Sequence, residues 1–196
     1  MGVAYVGVAY TVFDTAVGRC AIAWGQNGVL GVQLADVREI ETRRRLLRQF
    51  PEARELPPPA DVQYFIDSIG IALRGQFAEL SDIPLDMSNL SPFDCRIYEM
   101  VRRIPRGETR TRAEIATQVG SPGIVHSLAQ ALARNPFALV VPCHRVLESA
   151  GRIDGIPTNG GAMTRARLLS LEGALPSRGS TLFDALLSVA PPRQAH

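Results

Sequence analysis

The chain contains no lysine: all 21 of its cationic side chains are arginine. Schiff-base chemistry on a lysine amine is thereby excluded. Cysteine is scarce as well. Cys20, Cys95 and Cys143 are the three in 196 residues, an odd number without C-x-x-C spacing. That argues against a disulfide framework and against a zinc site, so metal is not expected and any thiol that matters acts singly. No run approaches the eighteen or so apolar residues that a membrane span needs. Residues 1–10 are apolar but lack a basic leader and soon meet Asp14. They read as a first strand rather than a secretory signal, and a cytoplasmic location is expected.

What is present suffices for a core. Hydrophobic residues make up 46% and charged residues 20%, the balance of one large or two small soluble domains. The formal net charge of +2 is unevenly spread. Residues 1–90 carry 8 Arg against 11 Asp and Glu, whereas residues 91–175 carry 11 Arg against 7. The second half is the better candidate for meeting an anionic partner.

Residues 3–34 alternate apolar stretches with turn signals. Asn27-Gly28 between two apolar runs marks a hairpin, and two or three antiparallel strands are expected. A helix over 37–50 is stopped by Pro51, with Arg43, Arg44, Arg45 and Arg48 on a solvated face. Pro57-Pro58-Pro59 reads as a stiff linker. Val62, Phe65, Ile66, Ile69, Leu73 and Phe77 then fall at helical spacing. Turn formers fill 78–91, where the domain boundary is placed. The expected fold class is α+β: a first domain over 1–88 with a small antiparallel sheet and helices, a helical domain over 89–175, and a tail over 176–196. The tail holds an apolar patch at 182–189 that suits a helix packed back on the protein.

In the second half, Ser91-Pro92 caps a helix whose apolar face is Phe93, Ile97, Val101 and Ile104. Thr111-Arg112-Ala113-Glu114 has capping-box spacing and opens a short helix to Val119, stopped by Gly120. Ser121-Pro122 caps a third helix that runs to about Arg134. A short helix, a tight turn and a second helix make a helix-turn-helix pattern. Val125, Leu128 and Leu132 are spaced to pack inward. His126, Ala129, Gln130 and Ala133 lie opposite, and small side chains there let a helix approach a nucleic-acid groove closely. The same face equally suits a helix that merely meets solvent. Asn135-Pro136 breaks this helix, and 138–141 reads as a short buried strand leading into Pro142-Cys143-His144-Arg145-Val146.

A cysteine is a useful nucleophile as thiolate, so its surroundings must help remove the proton. His144 is adjacent and can accept it, directly or through a water. Arg145 adds positive charge. Neighbouring residues on a regular strand point to opposite sides, so the pair works best at a turn, and Glu172 is the candidate to orient the imidazole. Taken alone, a Cys-His dipeptide is more often inert packing.

Pro142-Cys143-His144-Arg145-Val146 resembles the active-site signature of the O6-alkylguanine-DNA alkyltransferases. Ser91-Pro92-Phe93, Ile104-Pro105-Arg106-Gly107-Glu108, Ile115-Ala116, Asn135-Pro136 and Leu168-Leu169-x-x-Glu172-Gly173 are similar to that family in order and spacing. The likeness is strong over about 91–174 and looser over 10–90, where Asp14-Thr15-x-x-Gly18-Arg19 resembles its first domain. The resemblance implies a ribonuclease H-like first domain and a winged-helix-like second one. It implies a monomer that flips an O6-alkylated guanine out of double-stranded DNA and takes the alkyl group onto Cys143 once, without a cofactor, membrane or obligate protein partner. His144 would be the water-mediated base, Glu172 its orienting group and Asn135 the hinge between recognition helix and active-site strand. Arg112, His126, Ala129, Arg134 and Thr111 would meet DNA. Pro142, Arg145, Val146, Asn159 and Arg165 would line the substrate pocket.

The chain also departs from the family. Arg112 stands where a tyrosine usually crowds the phosphate, and His126 where an arginine usually fills the gap left by the flipped base. The loop over 154–161 lacks the usual aromatic and is about two residues longer. Two alternatives therefore stay open: a non-transferring protein that binds lesions, and a transferase with altered substrate preference.

Overall fold

Glycine-bearing turns fold the first third of the chain into a meander of β1 (Ala9–Thr15), β2 (Gly18–Gly25) and β3 (Gly28–Gln33). The computed structural model describes residues 7–149 and 165–174. Tyr10 lies opposite Ala23, and Ile22 opposite Val32, so alternate residues of the central strand face the core. At Gly28, φ is +131° and an added Cβ would lie 2.5 Å from the Pro84 carbonyl oxygen. Both the torsion and the close approach require glycine there, as the Asn27-Gly28 hairpin signal anticipates.

α1 (Glu39–Gln49) follows, two residues later than the pattern predicts, with Val37 exposed ahead of it. It packs on the sheet and returns the chain as β4 (Arg54–Glu55), which pairs parallel with β1. The sheet order is β3-β2-β1-β4. The sheet is thus mixed rather than antiparallel throughout, because a helical crossover brings the next strand back in the same direction. α2 (Ala60–Leu73) buries Val62, Ile66, Ile69 and Leu73. It ends before Gly75, whose φ of +76° stops a helix. Phe77, expected on this helix, therefore lies beyond it and is 74% exposed. The segment over 78–91 is tied to the sheet: the Val29 N–H donates to the Pro84 carbonyl and the Asp86 N–H to the Val29 carbonyl, both at 2.8 Å.

α3 (Pro92–Arg102) starts as its sequence dictates, with the Ser91 hydroxyl accepting from the Asp94 N–H. α4 (Arg112–Gln118) carries a complete capping box between Thr111 and Glu114. Ser121, however, makes no capping bond. A single 3-10 turn, Pro122–Ile124, comes first, and α5 (Val125–Ala133) begins after it. Val125, expected inside, is consequently a first-turn residue open to solvent, and Leu128, Ala131 and Leu132 form the inner face. β5 (Arg110–Thr111) and β6 (Val146–Leu147) form a short parallel pair behind the helix-turn-helix. α6 (Arg165–Glu172) closes the described chain. Ile22 and Val32 of the sheet share one buried cluster with Ile97, Leu128 and Val141. No helix of the described residues is long and apolar enough to cross a membrane. The loop over 154–161 and the tail over 176–196 lie outside the described residues.

Candidate active site

The chain leaving α5 must reverse before it can present Cys143, and a buried asparagine shapes that reversal. Asn135 Oδ1 accepts from the Phe137 N–H at 2.9 Å, and its Nδ2 donates to the Val141 carbonyl at 3.0 Å. One side-chain amide thus spans both ends of the turn. The strand expected over 138–141 does not form. Phe137 and Ala138 make single bridges, and the Val141 N–H closes onto the Phe137 carbonyl at 2.9 Å. Leu139 lies at φ +71°, which costs a side chain with a Cβ about 1–2 kcal/mol. Its burial holds it there. Pairing of short apolar runs in a sheet needs a free edge, and here the asparagine bonds divert the backbone instead.

The turn delivers Cys143 as the first residue of one 3-10 turn, Cys143–Arg145. Cys143 is 7% exposed and His144 1%. Burial pushes the Cys143 thiol up, opposed by a hydrogen bond with Asn135 and by the positive charge of Arg165. Burial likewise pushes the His144 imidazole down, against the pull of Glu172. His144 is therefore neutral at pH 7. Its Nε2–H donates to Glu172 Oε1 at 2.8 Å, a tautomer set by the carboxylate, which can only accept. Nδ1 then carries the lone pair, and it has no hydrogen-bond partner among the described residues.

Glu172 is held at both oxygens. Arg145 Nε donates to Oε2 and Nη2 to Oε1, each at 2.9 Å, while Nη1 donates to the Ile104 carbonyl at 2.6 Å. Burial alone would raise the Glu172 carboxyl, but the bonds from His144 and Arg145 outweigh it and hold it at about 2. Arg145 was expected to lend its charge to the sulfur. Its guanidinium is turned onto Glu172, and Arg165 supplies the favourable charge at Cys143 instead. Pro142 is buried beside the nucleophile, and Val146 sits in β6 opposite Arg110. A cavity of about 530 Å³ backs onto Pro142, Arg145 and Glu172 without including Cys143 in its wall. Asn159 lies outside the described residues. Among the described residues no His, Cys, Asp and Glu cluster is arranged to hold a metal ion.

On α5, His126, Gln130 and Ala133 face outward as their spacing predicts, with Ala129 at the margin. The His126 and Gln130 side chains meet at 3.1 Å. Three other residues expected to meet DNA are engaged within the protein. Thr111 holds its capping box. Arg112 is mostly buried, 3.9 Å from Glu148. Arg134 pairs with Asp94 at 2.7 Å. Sequence reasoning gave Asp94 and Tyr98 no part near the site. Their one signal was the position of Asp94 three residues after the Ser91 cap, which speaks only of the helix start.

A buried cysteine, a neutral imidazole next to it and a carboxylate fixing that imidazole stand together one turn beyond a helix-turn-helix, an arrangement suited to a thiol that accepts a group. The comparisons agree with that class. A sequence model described as 6-O-methylguanine DNA methyltransferase, DNA binding domain, matches residues 92–174. The methylated-DNA–protein-cysteine methyltransferase of Mycobacterium tuberculosis is 33% identical over 181 residues, 90% of this chain and 99% of that protein. The crystal structure of the M. tuberculosis O6-methylguanine methyltransferase aligns with a TM-score of 0.68 at 28% identity, covering 90% of this chain and 99% of that one. The same organism's enzyme in complex with DNA aligns with a TM-score of 0.66 at 26% identity, over 86% and 96% of the two chains. The chain belongs to the methylated-DNA–protein-cysteine methyltransferase family.

Proposed function

We propose that this protein repairs alkylated DNA by moving an alkyl group from the O6 of guanine in a duplex onto the sulfur of Cys143, once per molecule and without a cofactor. The observation that carries the reading is the hydrogen bond from His144 to Glu172 directly beside a buried thiol. Burial keeps the thiol protonated at rest. With Nε2–H committed to Glu172, His144 Nδ1 takes the thiol proton, directly or through a water, as the alkyl carbon approaches. The ionised Glu172 then stabilises the imidazolium that forms. The sulfur lone pair makes the new S–C bond while the C–O6 bond breaks. Its electron pair leaves on guanine, which takes a proton from solvent. A thioether has no comparable leaving group, so the product persists.

The outward face of α5 supports DNA contact through His126, with Ala129 at its margin; Thr111, Arg112 and Arg134 would join it only by leaving the capping box, Glu148 and Asp94 that engage them here. Pro142, Val146 and Arg165 would frame the extruded base, while Arg145 is held on Glu172 and Ile104. We further infer a monomer with domains over 1–88 and 89–175. The β1–β2–β3 meander with β4 parallel to β1 is the basis for a ribonuclease H-like first domain, and the β5–β6 pair beside the helices for a winged-helix-like second one.

Intact-protein mass after incubation with a duplex containing O6-methylguanine tests the reading. One methyl group per chain is expected on Cys143, and none in Cys143→Ser. Tight binding without a mass change would replace this function with that of a lesion-binding protein.

A further inference from the structure

The last carbonyls of a helix have no partner within it. In α5, one of these is met from a different helix: Tyr98 on α3 donates its hydroxyl to the Ala131 carbonyl at 2.8 Å. Tyr98 is fully buried. One turn earlier on the same face of α3, the buried carboxylate of Asp94 takes Arg134 Nη2 at 2.7 Å and Nε at 3.2 Å. The Tyr98 ring also meets the Phe137 ring edge-on, with centroids 6.2 Å apart and planes at 86°. Two side chains four residues apart therefore hold the last turn of α5, the residue that caps it and the start of the turn to Cys143. Between those grips stands Asn135, whose amide fixes that turn.

A leucine would fill the Tyr98 position without a buried hydroxyl that needs a partner, and a neutral residue would spare Asp94 its desolvation. What the polar pair adds is a fixed distance between α5 and the sulfur. We infer that Asp94 and Tyr98 are positioning residues that lock α5 to the Cys143 turn, so that a base displaced by α5 arrives in line with the nucleophile. The inference rests on the reading of α5 as the helix that contacts DNA. Neither side chain hydrogen-bonds Cys143, so loosening them is expected to act on the alignment of α5 with the sulfur far more than on the reactivity of the thiol itself. Small misplacements are costly in displacement chemistry, which demands alignment of the entering and leaving atoms.

The test compares two reactions of the same sulfur in the full chain. Methyl transfer from a duplex containing O6-methylguanine requires α5 in register. Alkylation by iodoacetamide, followed at the Cys143 peptide, does not. Tyr98→Phe keeps the ring and its contact with Phe137 and deletes only the hydroxyl. It is expected to slow duplex transfer roughly tenfold, the worth of one buried hydrogen bond, while iodoacetamide alkylation stays within about twofold of the parent. Asp94→Asn should give the same split, and it decides the matter if Tyr98→Phe fails to fold. Equal slowing of both reactions, or duplex transfer undiminished in both variants, would overturn the inference. Failure of the underlying function would show differently, as absence of duplex transfer in the unsubstituted protein.

Discussion

The two halves of the molecule use the same cation in different ways. In the sheet half, arginines meet carboxylates, and apart from the largely buried Arg45–Asp36 pair they do so near the surface. Arg19 pairs with Asp14 and Glu39, Arg43 with Glu39 and Glu55, and Arg38 and Arg44 both with Glu41. In the second half several arginines instead reach backbone carbonyls and buried acids, although Arg110 and Arg112 still meet exposed glutamates. Arg102 donates to the Ser81 and Ile83 carbonyls, Arg106 to those of Gly75 and Leu171, Arg96 to that of Val119, and Arg145 to Glu172 and Ile104. The positive excess of residues 91–175 is thus partly structural mortar around the site. Counting charge by region identifies the half that holds the site but overstates how much of that charge faces outward. Guanidinium, planar and multiply donating, suits this work better than an ammonium would.

The sharpest way to break the comparison is to remove one arginine of the second kind. Arg145→Ala leaves Glu172 buried with its main cationic partner gone and the Ile104 carbonyl unmet. Loss of one member of a buried pair costs about 3–5 kcal/mol, so chemical denaturation at pH 7 should show a loss of that order, together with slowed transfer. A loss under about 1 kcal/mol would mean that the second-half arginines are no more structural than those on the sheet.

Acid supplies the next largest effect. As pH falls past 6.5, the unfolded chain protonates its histidine before the buried His144 does, since burial holds the folded value lower. Glu172 behaves alike further down. Its stabilising contribution is whole above 4.5 and is lost as pH falls to about 2. That depression is worth on the order of 3 kcal/mol. Stability measured between pH 5 and pH 3 should therefore fall steeply, and Glu172→Gln should flatten the slope. Glu39→Gln, on an exposed pair, should change the slope far less. Equal slopes in Glu172→Gln and the parent would remove Glu172 as the source of the acid limb.

Much of this was legible in the sequence. Asn27-Gly28, Ser91-Pro92 and the Thr111–Glu114 box each name a local bond that the structure makes, because caps and tight turns are decided within four residues. The Pro142–Val146 motif pointed to a Cys143–His144 pair, and the structure puts Glu172 in hydrogen-bond contact with that imidazole. Apart from Ser121, whose expected cap is replaced by a 3-10 turn, the failures are tertiary. The 138–141 run has a strand's composition, but the Asn135 amide captures its backbone. β4 is two residues long and owes its existence to β1. Arg145 could not be assigned from position, since its guanidinium reaches a residue 27 places on. Asp94 and Tyr98 carry an ordinary helix-start and core pattern, and only the fold brings them to the end of α5.

The smallest expected effect sharpens the comparison from the other side. Arg44 lies on α1 with its side chain 63% exposed, 3.2 Å from Glu41. Arg38 reaches the same carboxylate oxygen at the same distance, so removing Arg44 leaves Glu41 paired. Exposed pairs contribute little because water screens them and ordering two long side chains costs entropy. Arg44→Ala should thus change unfolding free energy by about 0.5 kcal/mol or less, and added salt should not widen the difference. A loss of 1 kcal/mol or more, shrinking as salt is raised, would show that the surface network on α1 acts as a unit, and the contrast between the two halves would fail on the side where the sheet is expected to be indifferent.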